Sequence, residues 1–345
     1  MRVGVVGASG YSGGELLRYL SHHPFFEVDY IAAGSNAGAL ITSLHPQLQN
    51  LDHLRGKRFE ETSIERCNDV DLLFIALPHG ESAAIATQIS SEVKIVDLGA
   101  DFRLKSETSW SKYYGGPHAG QWVYGLPEIA GARERIADAT RVANPGCYAT
   151  AIAVGAAPFV ASSVIDSEDI TVVAASGTTG AGRNAKVNLL GSEVMGSLSS
   201  YKFGGIHQHT PEIEETLQGV TGDSSKRVRI SFTPILAPMP RGILATITAR
   251  TSATDVGELK NHFSQYYLAE PFIHLLDDAM PRTSSVVGSN HLHAAIALDG
   301  HTERLILSIA IDNLGKGAAG QAIQNANLIA GFEETTALLS GGLGS

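Results

Sequence analysis

The sequence predicts an α/β fold class, in which a Rossmann-like doubly wound parallel sheet is followed by an α+β domain with a mixed or antiparallel sheet. Apolar strands alternate with helical segments over residues 1–146, which is typical of a parallel sheet. Later strands instead alternate apolar and polar residues, which is typical of a sheet with one less buried face. The length of 345 residues also suits two domains.

The first element is a short apolar strand over 2–6 that runs directly into a glycine-rich loop. That loop, 7–14, is followed by helical spacing of apolar residues over 15–20, and Pro24 ends the pattern. A second apolar strand over 28–33 completes a strand–helix–strand unit. Because such crossovers are right-handed, we expect the two strands to be parallel.

The parallel sheet continues with strands at 71–77 and 93–98, separated by a helix over 82–89. A short strand over 141–143 then leads into an apolar helix that begins near Cys147.

The later strands have a period of two residues, at 228–233, 243–250 and 304–311. Strands of this kind indicate an antiparallel or mixed sheet in a second fold unit. Their polar faces hint at a subunit interface, so we expect a homo-oligomer, either a dimer or a tetramer. A Gly/Ala-rich helix is predicted over 318–328.

Composition excludes several classes of protein. The net charge is −10 and no basic block is longer than 226–229, so we expect no nucleic-acid partner. The two cysteines, Cys67 and Cys147, are too few for a disulfide framework or a C-x-x-C zinc site. The longest apolar run, 149–161, is shorter than the roughly 20 residues that span a bilayer. We therefore expect a cytoplasmic protein with no membrane partner.

The glycine loop is spaced to bind the phosphates of a dinucleotide. It has a G-x-x-G-x-x-G pattern at the start of a helix, where backbone N–H groups and the helix dipole attract a pyrophosphate. The alternative is that the glycines serve only to pack the strand against the helix. The cofactor contacts predicted here are Gly7, Ser9, Gly10, Tyr11, Ser12 and Gly13.

The residues after the second strand favour NADP over NAD. NAD-specific sites usually place Asp or Glu there, on the ribose hydroxyls. This chain has the uncharged segment Ala33-Gly34-Ser35-Asn36 instead, which tolerates a 2′-phosphate. We predict NADP as the cofactor and Ser35 as one of its contacts, although no arginine is adjacent in the sequence.

Cys147 is the predicted nucleophile. It lies at the N-terminus of the apolar helix, after Pro145 and Gly146, which clear space for an approach to the sulfur. Because a helix N-terminus lowers the pKa of a thiol, we expect a usable thiolate at neutral pH. The alternative is a small core residue. Cys67 has acidic neighbours in the sequence, and we expect it to be structural.

Two histidines before a predicted helix start are candidates for an acid/base. His207 and His209 precede the segment 210–212, which has the pattern of an N-cap, a first-turn proline and an acidic first turn. The alternative is a surface turn with ordinary histidines. The pair His291 and His293 suggests a metal site, but no carboxylate lies at a ligand spacing, and we predict none.

Three arginines lie in glycine-rich or turn-like segments: Arg103, Arg183 and Arg241. Guanidinium groups bind carboxylates and phosphates in a bidentate manner. Surface ion pairs are the alternative for any one of them. Together they predict a small, anionic substrate.

The chain resembles the N-acetyl-gamma-glutamyl-phosphate reductases of arginine biosynthesis, of the shorter type, over nearly its whole length. Eight motifs carry the resemblance, in the order that the family has them. They are GASGYSGGEL (7–16), LPHG (77–80), ADFRL (100–104), YGLPE (124–128), NPGCYAT (144–150), SGTTGAGR (176–183), HQHTPE (207–212) and NLGKGAAGQ (313–321).

The resemblance implies an oxidoreductase that uses NADPH to reduce N-acetyl-L-glutamyl 5-phosphate to N-acetyl-L-glutamate 5-semialdehyde and phosphate. It implies a thioester on Cys147, and His209 as the acid/base, with His207 as the next candidate. Thiolate attack would expel phosphate, and hydride transfer to the thioester would follow. N–H groups at the helix start would stabilise the oxyanion.

The resemblance also implies a discontinuous NADP-binding domain, 1–146 and 313–345, and a catalytic and oligomerisation domain over 147–312. It adds Asn144 to the arginines as a substrate contact. It adds these cofactor contacts: Pro78, Ser176, Gly177, Gly180, Asn313, Lys316 and Gly317.

Three other functions remain open at this stage. A related family reduces a carrier-bound aminoadipyl phosphate in lysine biosynthesis, but its cysteine motif lacks Asn-Pro-Gly-Cys-Tyr, and the acidic net charge disfavours an acidic carrier. A non-catalytic NADP-binding redox sensor needs only the glycine loop and one exposed thiol. A Cys-His hydrolase needs only the cysteine and a histidine.

Overall fold

The computed structural model describes residues 1–223 and 225–344, and its N-terminal part contains a six-stranded parallel sheet. The strand order is β2-β1-β3-β4-β6-β5. The strands are β1 (Arg2–Val6), β2 (Glu27–Ala32), β3 (Leu72–Ile75), β4 (Lys94–Asp97), β5 (Val123–Tyr124) and β6 (Arg141–Ala143).

Six helices connect these strands. The helix α1 (Tyr11–Leu20) buries Leu16, Leu17 and Leu20 against the sheet, as its helical spacing predicts. The others are α2 (Ile41–Leu44), α3 (Ile64–Asn68), α4 (Ser82–Ala86), α5 (Glu107–Tyr113) and α6 (Ala132–Ala137).

The sheet has a topological switch point between β1 and β3. The chain leaves β1 to form β2 on one side and later returns to form β3 on the other. Connections diverge there, so a crevice opens at the carboxyl ends of these strands, where open α/β sheets bind their ligands. The glycine loop after β1 lies at this crevice, and the loop after β6 leads from the same edge to Cys147.

The second part of the chain contains a seven-stranded mixed sheet, ordered β11-β12-β13-β10-β7-β9-β8. Its strands are β7 (Ile170–Ser176), β8 (Ser199–Ser200), β9 (Ile230–Leu236), β10 (Ile243–Arg250), β11 (Ile273–Leu275), β12 (Leu292–Asp299) and β13 (Arg304–Ile311). Burial along β10 alternates, as its period-two pattern predicts.

The helices of this part begin with α7 (Cys147–Ala161), which lies against the central strands β10 and β13. The residues of α7 from Tyr148 to Val160 are all buried, and Gly155 lies so close to Ile309 and Ile247 that a larger residue would clash. The other helices are α8 (Gly191–Val194), α9 (His209–Val220), α10 (Val256–Tyr266) and α11 (Thr283–Val286).

A π-helical turn, Gly315–Ala319, and α12 (Gly320–Ala330) follow β13. The helix α12 contacts α1, α6 and β4 of the first part, while the π turn contacts α7. The C-terminal segment therefore lies between the parallel sheet and the helix that carries Cys147.

The predicted fold class is confirmed, and the elements that were predicted differ from the observed ones at their ends. The strands predicted at 71–77 and 93–98 are shorter, and the helix predicted over 82–89 ends at Ala86. The strand predicted over 228–233 is Ile230–Leu236, since pairing with β7 sets its ends. No helix among the described residues is both long and apolar enough to cross a membrane.

Candidate active site

The glycine loop is shaped by close backbone approaches at two of the three glycines in its G-x-x-G-x-x-G pattern. Gly7 has φ of +79° and lies against the Ala76 carbonyl at the end of β3, where a side chain would collide. A Cβ on Gly13 would lie 2.5 Å from the Cα of Ala8, so this glycine lets α1 approach β1. A Cβ on Gly10 would meet nothing closer than 3.6 Å, so Gly10 leaves open space above the loop.

The N-terminus of α1 is free to bind an anion. Its N-cap residue, Gly10, provides no side-chain cap, and its first turn contains no acidic residue. The first N–H groups, beginning with Tyr11 and Ser12, therefore have no side-chain acceptor from the cap. Tyr11 is exposed beside them. This cradle fits the pyrophosphate of a dinucleotide.

The loop after β2 is tied to the glycine loop. Asn36 Nδ2 donates a hydrogen bond of 3.1 Å to Ser9 Oγ, and Ser35 is exposed next to it. The predicted ribose end of the cofactor site thus has hydroxyl and amide groups and no carboxylate in the segment 33–36.

Four of the cofactor contacts implied by the resemblance meet in the second part of the chain. Asn313 Nδ2 donates to Thr179 Oγ1 at 3.0 Å, and a Cβ on Gly180 would lie 3.2 Å from Ser176 Oγ and 3.9 Å from Asn313 Nδ2. Gly177 lies against the backbone of Pro240 and Arg241, where a Cβ would be 2.7 Å from the Arg241 nitrogen. The end of β7 and the end of β13 are therefore held together at this point.

Cys147 is the first residue of α7 and is half-buried. Gly146, its N-cap, is extended, and a side chain there would collide with His209 Nε2 and would approach Arg103 Nη1 to 2.8 Å. Gly317 lies on another side, where a Cβ would be 2.7 Å from the Cβ of Cys147. The cysteine loop, which comprises residues 144–147, is thus enclosed by His209, Arg103 and the π turn.

Burial raises the pKa of the Cys147 thiol to about 11, although the Tyr148 N–H and Arg103 act in the opposite direction. The expectation of a thiolate at neutral pH was therefore wrong for this environment. The physical reason is that desolvation of the charged form outweighs the helix N-terminus. Attack by this sulfur requires a group that accepts its proton.

His209 is placed to be that group. Burial, and then the charge of Arg103, holds the pKa of its imidazole well below the usual range, so the ring is neutral at pH 7. Its Nδ1 is buried and has no hydrogen-bond partner among the described residues. His209 is the first residue of α9, and the Nε2 of its ring faces the cysteine loop.

His207 has a different environment. Its Nδ1 accepts a hydrogen bond of 3.1 Å from the His209 N–H, and its ring lies among Tyr148, Tyr201 and Phe232. Burial, and then the neighbouring His209, lowers its pKa to about 2. These contacts favour His209 over His207 as the acid/base.

The predicted N-cap of α9 was wrong by two residues. Thr210 was expected to cap the helix, with both histidines before it, but the helix begins at His209 with Gln208 as its N-cap. The hydrogen bond from the His209 N–H to His207 Nδ1 satisfies one of the N–H groups that the first turn of this helix leaves without an intrahelical acceptor.

Glu212 is a site residue to which the sequence reasoning gave no role. It is 1% exposed, and its Oε1 accepts hydrogen bonds from the Gly146 N–H at 2.7 Å and from the Tyr124 hydroxyl at 2.8 Å. Its Oε2 pairs with Arg103 Nη1 at 3.4 Å. Since residues three apart share a helix face, the spacing between His209 and Glu212 was the available signal.

Arg103 and Asn144, two of the predicted substrate contacts, lie beside the cysteine loop. Arg103 donates from Nε to the Asn144 carbonyl and from Nη2 to the Leu98 carbonyl, both at 2.8 Å. The Asn144 side chain bridges Ala318 and Asn325 of the C-terminal segment. Both residues are buried, and both hold the loop in place.

Arg241 and Arg183 lie elsewhere, so the predicted three-arginine substrate receptor does not form. Arg241 donates to both carboxylate oxygens of Glu15, at 3.2 and 2.8 Å, and it also pairs with Asp312. It ties α1 to the end of β13. Arg183 instead reaches the glycine loop, where Nη1 donates to the Ser9 carbonyl at 3.1 Å.

Lys316 also differs from the predicted cofactor contacts. The ammonium of Lys316 is fully buried, pairs with Glu128 and donates to Gln324 Oε1 at 2.8 Å. This gives the Lys316 side chain a structural role in the C-terminal segment. Pro78 is exposed on the loop after β3, and its contact with the cofactor stays a prediction.

The remaining candidates are structural. Cys67 is completely buried, which raises the pKa of its thiol to about 11. His291 hydrogen-bonds to His274 at 2.9 Å, close to His293. Among residues 1–223 and 225–344, no group of three or more His, Cys, Asp or Glu residues is placed to hold a metal ion.

The fold and the site define a class, the semialdehyde dehydrogenases. Residues 2–139 match the family described as "Semialdehyde dehydrogenase, NAD binding domain", and residues 147–313 match "Semialdehyde dehydrogenase, dimerisation domain". Two solved aspartate semialdehyde dehydrogenases share the fold with a TM-score of 0.69. The Vibrio cholerae enzyme is 17% identical and the Candida albicans enzyme, with NADP, 15%, each covering 95% of this chain and 98% of its own.

Within this class, the chain belongs to the N-acetyl-gamma-glutamyl-phosphate reductases. It is 52% identical to the protein of that name from Acidothermus cellulolyticus over 99% of this chain and 98% of the relative. It is 51% identical to that of Salinispora arenicola and 48% to that of Streptomyces coelicolor, over 99% of both chains in each case. The resemblance predicted from the eight motifs is confirmed.

Proposed function

We propose that the protein is an NADPH-dependent oxidoreductase that reduces N-acetyl-L-glutamyl 5-phosphate to N-acetyl-L-glutamate 5-semialdehyde and phosphate. One observation carries the mechanism: a neutral His209 imidazole lies over the loop that presents Cys147 at a helix N-terminus. Relatives of that name, near 50% identity over the full length, support the substrate.

The first step uses the Cys147–His209 pair. The sulfur attacks the acyl carbon while His209 accepts the thiol proton, so that no free thiolate has to accumulate. The acyl C–O bond breaks and inorganic phosphate leaves, which gives a Cys147 thioester. The thiol pKa of about 11 explains why a base is needed.

The second step reduces the thioester. When bound, NADPH supplies the hydride that the carbonyl carbon receives. N–H groups at the start of α7 are placed to stabilise the resulting oxyanion, since the Gly146 cap has no side chain that would accept their hydrogen bonds. The protonated His209 returns its proton to the departing sulfur as the C–S bond breaks, and the aldehyde is released.

The cofactor is held by both parts of the chain. We assign the pyrophosphate to Gly7, Gly10 and Gly13 with the first N–H groups of α1, which form an open cradle. The nicotinamide end is assigned to the cluster at the ends of β7 and β13. That cluster consists of Ser176, Gly177, Gly180 and Asn313.

Arg103 is the substrate-facing cation of this proposal. Hydrogen bonds to Asn144, Leu98 and Glu212 use three of its five N–H donors. Two N–H donors remain beside Cys147 for the phosphate or the carboxylate of the substrate, while Glu212 offsets part of the positive charge. The partner is thus a small anionic molecule.

We further propose that 1–146 and 313–345 form the cofactor domain, with 147–312 as the catalytic and oligomerisation domain of a cytoplasmic homo-oligomer. The contacts of α12 with α1, α6 and β4 support the division.

The outward face of β7 and β10 carries Val173 and Leu244, 43% and 36% exposed, and a second copy of the chain would cover this face. The experiment is analytical ultracentrifugation of the wild type and of Val173→Glu, which should shift the protein towards monomer.

The test of function is absorbance at 340 nm in the reverse direction. Supplied with N-acetylglutamate semialdehyde, phosphate and NADP, the protein should produce NADPH, and omitting phosphate should stop the reaction. Aspartate semialdehyde serves as the comparison substrate and should react far more slowly. Faster reaction with aspartate semialdehyde, or turnover without phosphate, would contradict the proposal.

A further inference from the structure

Arg183 contacts two segments, the glycine loop and α2, near the predicted ribose end of the dinucleotide site. It belongs to the turn after β7, in the second part of the chain, yet it contacts the first. Its Nη1 donates to the Ser9 carbonyl at 3.1 Å, and its Nη2 donates to the Leu44 carbonyl in α2 at 2.9 Å. Its guanidinium carbon also lies 5.7 Å from the centre of the Tyr11 ring.

The charge of Arg183 is not neutralised by the protein. Within the described part of the chain, no carboxylate lies within 4.0 Å of its guanidinium, whereas Arg241 pairs with Glu15 and Asp312, and Arg103 pairs with Glu212. Arg183 is exposed and uses only two of its five N–H donors. Three donors remain for an anion.

The position of Arg183 indicates which anion it would bind. The loop after β2 is where a dinucleotide-binding fold recognises the ribose 2′ position. Asn36 of that loop donates to Ser9 Oγ, and Arg183 donates to the carbonyl of the same serine. Residues 33–36 supply no cation of their own.

We propose that Arg183 is the specificity-determining residue that binds the 2′-phosphate of NADP and thereby distinguishes NADP from NAD. This inference rests on the proposed function only in its use of a dinucleotide. The second part of the chain supplies the charge that the β2 loop lacks. With NADP bound, Arg183 would contact both the 2′-phosphate and the Ser9 carbonyl of the glycine loop.

Arg58 is the competing guanidinium. It is exposed and donates to the Gly38 carbonyl at 2.6 Å, in the segment that follows β2. Arg58 makes no hydrogen bond to Ser9 within the described residues, whereas Arg183 contacts Ser9 directly. The assignment therefore goes to Arg183, and Arg58 becomes an arm of the experiment.

The experiment measures equilibrium binding of NADPH and NADH by fluorescence, and of 2′,5′-ADP and 5′-AMP by calorimetry, to the full-length protein. Arg183→Gln should weaken NADPH and 2′,5′-ADP by roughly 10- to 100-fold, the range for a lost hydrogen bond to a charged group. NADH and 5′-AMP should change less than about 2-fold. Arg55→Gln, which removes an exposed arginine paired with Asp52, is the matched charge control and should bind like the wild type.

The outcomes separate the inference from the proposed function. Equal weakening of NADPH and NADH by Arg183→Gln would move the arginine to the pyrophosphate and overturn the assignment. If only the Arg58→Gln variant lost the preference for NADPH over NADH, the 2′-phosphate would be assigned to Arg58 and the proposal for Arg183 would be overturned. If the wild type binds neither dinucleotide, the proposed function itself fails.

Discussion

The cysteine site and the glycine loop lie at the same edge of the parallel sheet, yet they are built in opposite ways. Around Cys147, the polar groups are buried and are mostly bound to other protein groups, including Glu212, Arg103 and Asn144. At the glycine loop, the helix N-terminus has no side-chain cap, and Tyr11 and Ser35 beside it are exposed.

This difference reflects two tasks. A covalent step needs a nucleophile and a base held in a fixed geometry, which buried hydrogen bonds provide. Reversible cofactor binding needs donors that are free until the ligand arrives. The molecule therefore protects the sulfur with its own groups and leaves the phosphate cradle open.

The largest expected effect on activity comes from removing the sulfur, and it distinguishes the cysteine site from the glycine loop. Cys147→Ala removes the nucleophile, and activity in the 340 nm assay should fall below about 1% of the wild type. NADPH affinity, measured by fluorescence titration, should stay within about 2-fold because the substitution does not touch the cradle. Retained turnover would exclude a thioester on this residue.

The next effect tests the base. His209→Asn should lower kcat by roughly 10²- to 10⁴-fold, the usual contribution of a positioned acid/base. His207→Asn serves as the comparison, because its ring packs among aromatic residues and its Nδ1 only accepts a backbone hydrogen bond. A larger loss of kcat in the folded His207 variant, with folding checked by circular dichroism, would reverse the assignment.

The pH dependence of Cys147 alkylation tests how far burial raises the pKa of its thiol. With a thiol pKa of about 11, the thiolate fraction of Cys147 rises with pH throughout the range from 7 to 10. The rate of inactivation by iodoacetamide should therefore rise about tenfold per pH unit over that range. Cys147→Ala reports any labelling of Cys67. A rate that levels off below pH 8 would show a thiolate stabilised by its surroundings.

The smallest effect concerns the open region. Gly10→Ala adds a methyl group where the nearest heavy atom would be 3.6 Å away, so the fold tolerates it, but the group enters the phosphate cradle. NADPH affinity should fall about tenfold with the melting temperature unchanged. Gly219→Ala, in α9 with nothing within 4 Å, is the control and should bind NADPH normally. Unchanged binding in Gly10→Ala would place the pyrophosphate elsewhere.

Much of the fold was predictable because periodicity records burial locally. The strand Arg2–Val6, the strand Ile243–Arg250 and the helix start at Cys147 were all predicted at their observed positions. The prediction was less accurate where a neighbour sets an end, as at β9, whose length follows its pairing with β7.

The site was predictable in part. Motif order pointed to Cys147, His209 and the glycine loop, and the structure places each at the carboxyl edge of the sheet or over the cysteine loop. The roles of Arg241 and Lys316 were not predictable, because their carboxylate partners Glu15 and Glu128 are more than a hundred residues away in sequence. Nothing local distinguishes such an arginine from one that meets a ligand.

The sequence by itself determined the two fold units, the family and the residue types that the chemistry requires, because periodicity, glycine spacing and motif order are local properties. Only the tertiary structure decided how far the cysteine is buried, what surrounds each of the two histidines and which partners the arginines contact. Each of these depends on desolvation and on charges brought close by folding, and neither is a property of a short stretch of chain.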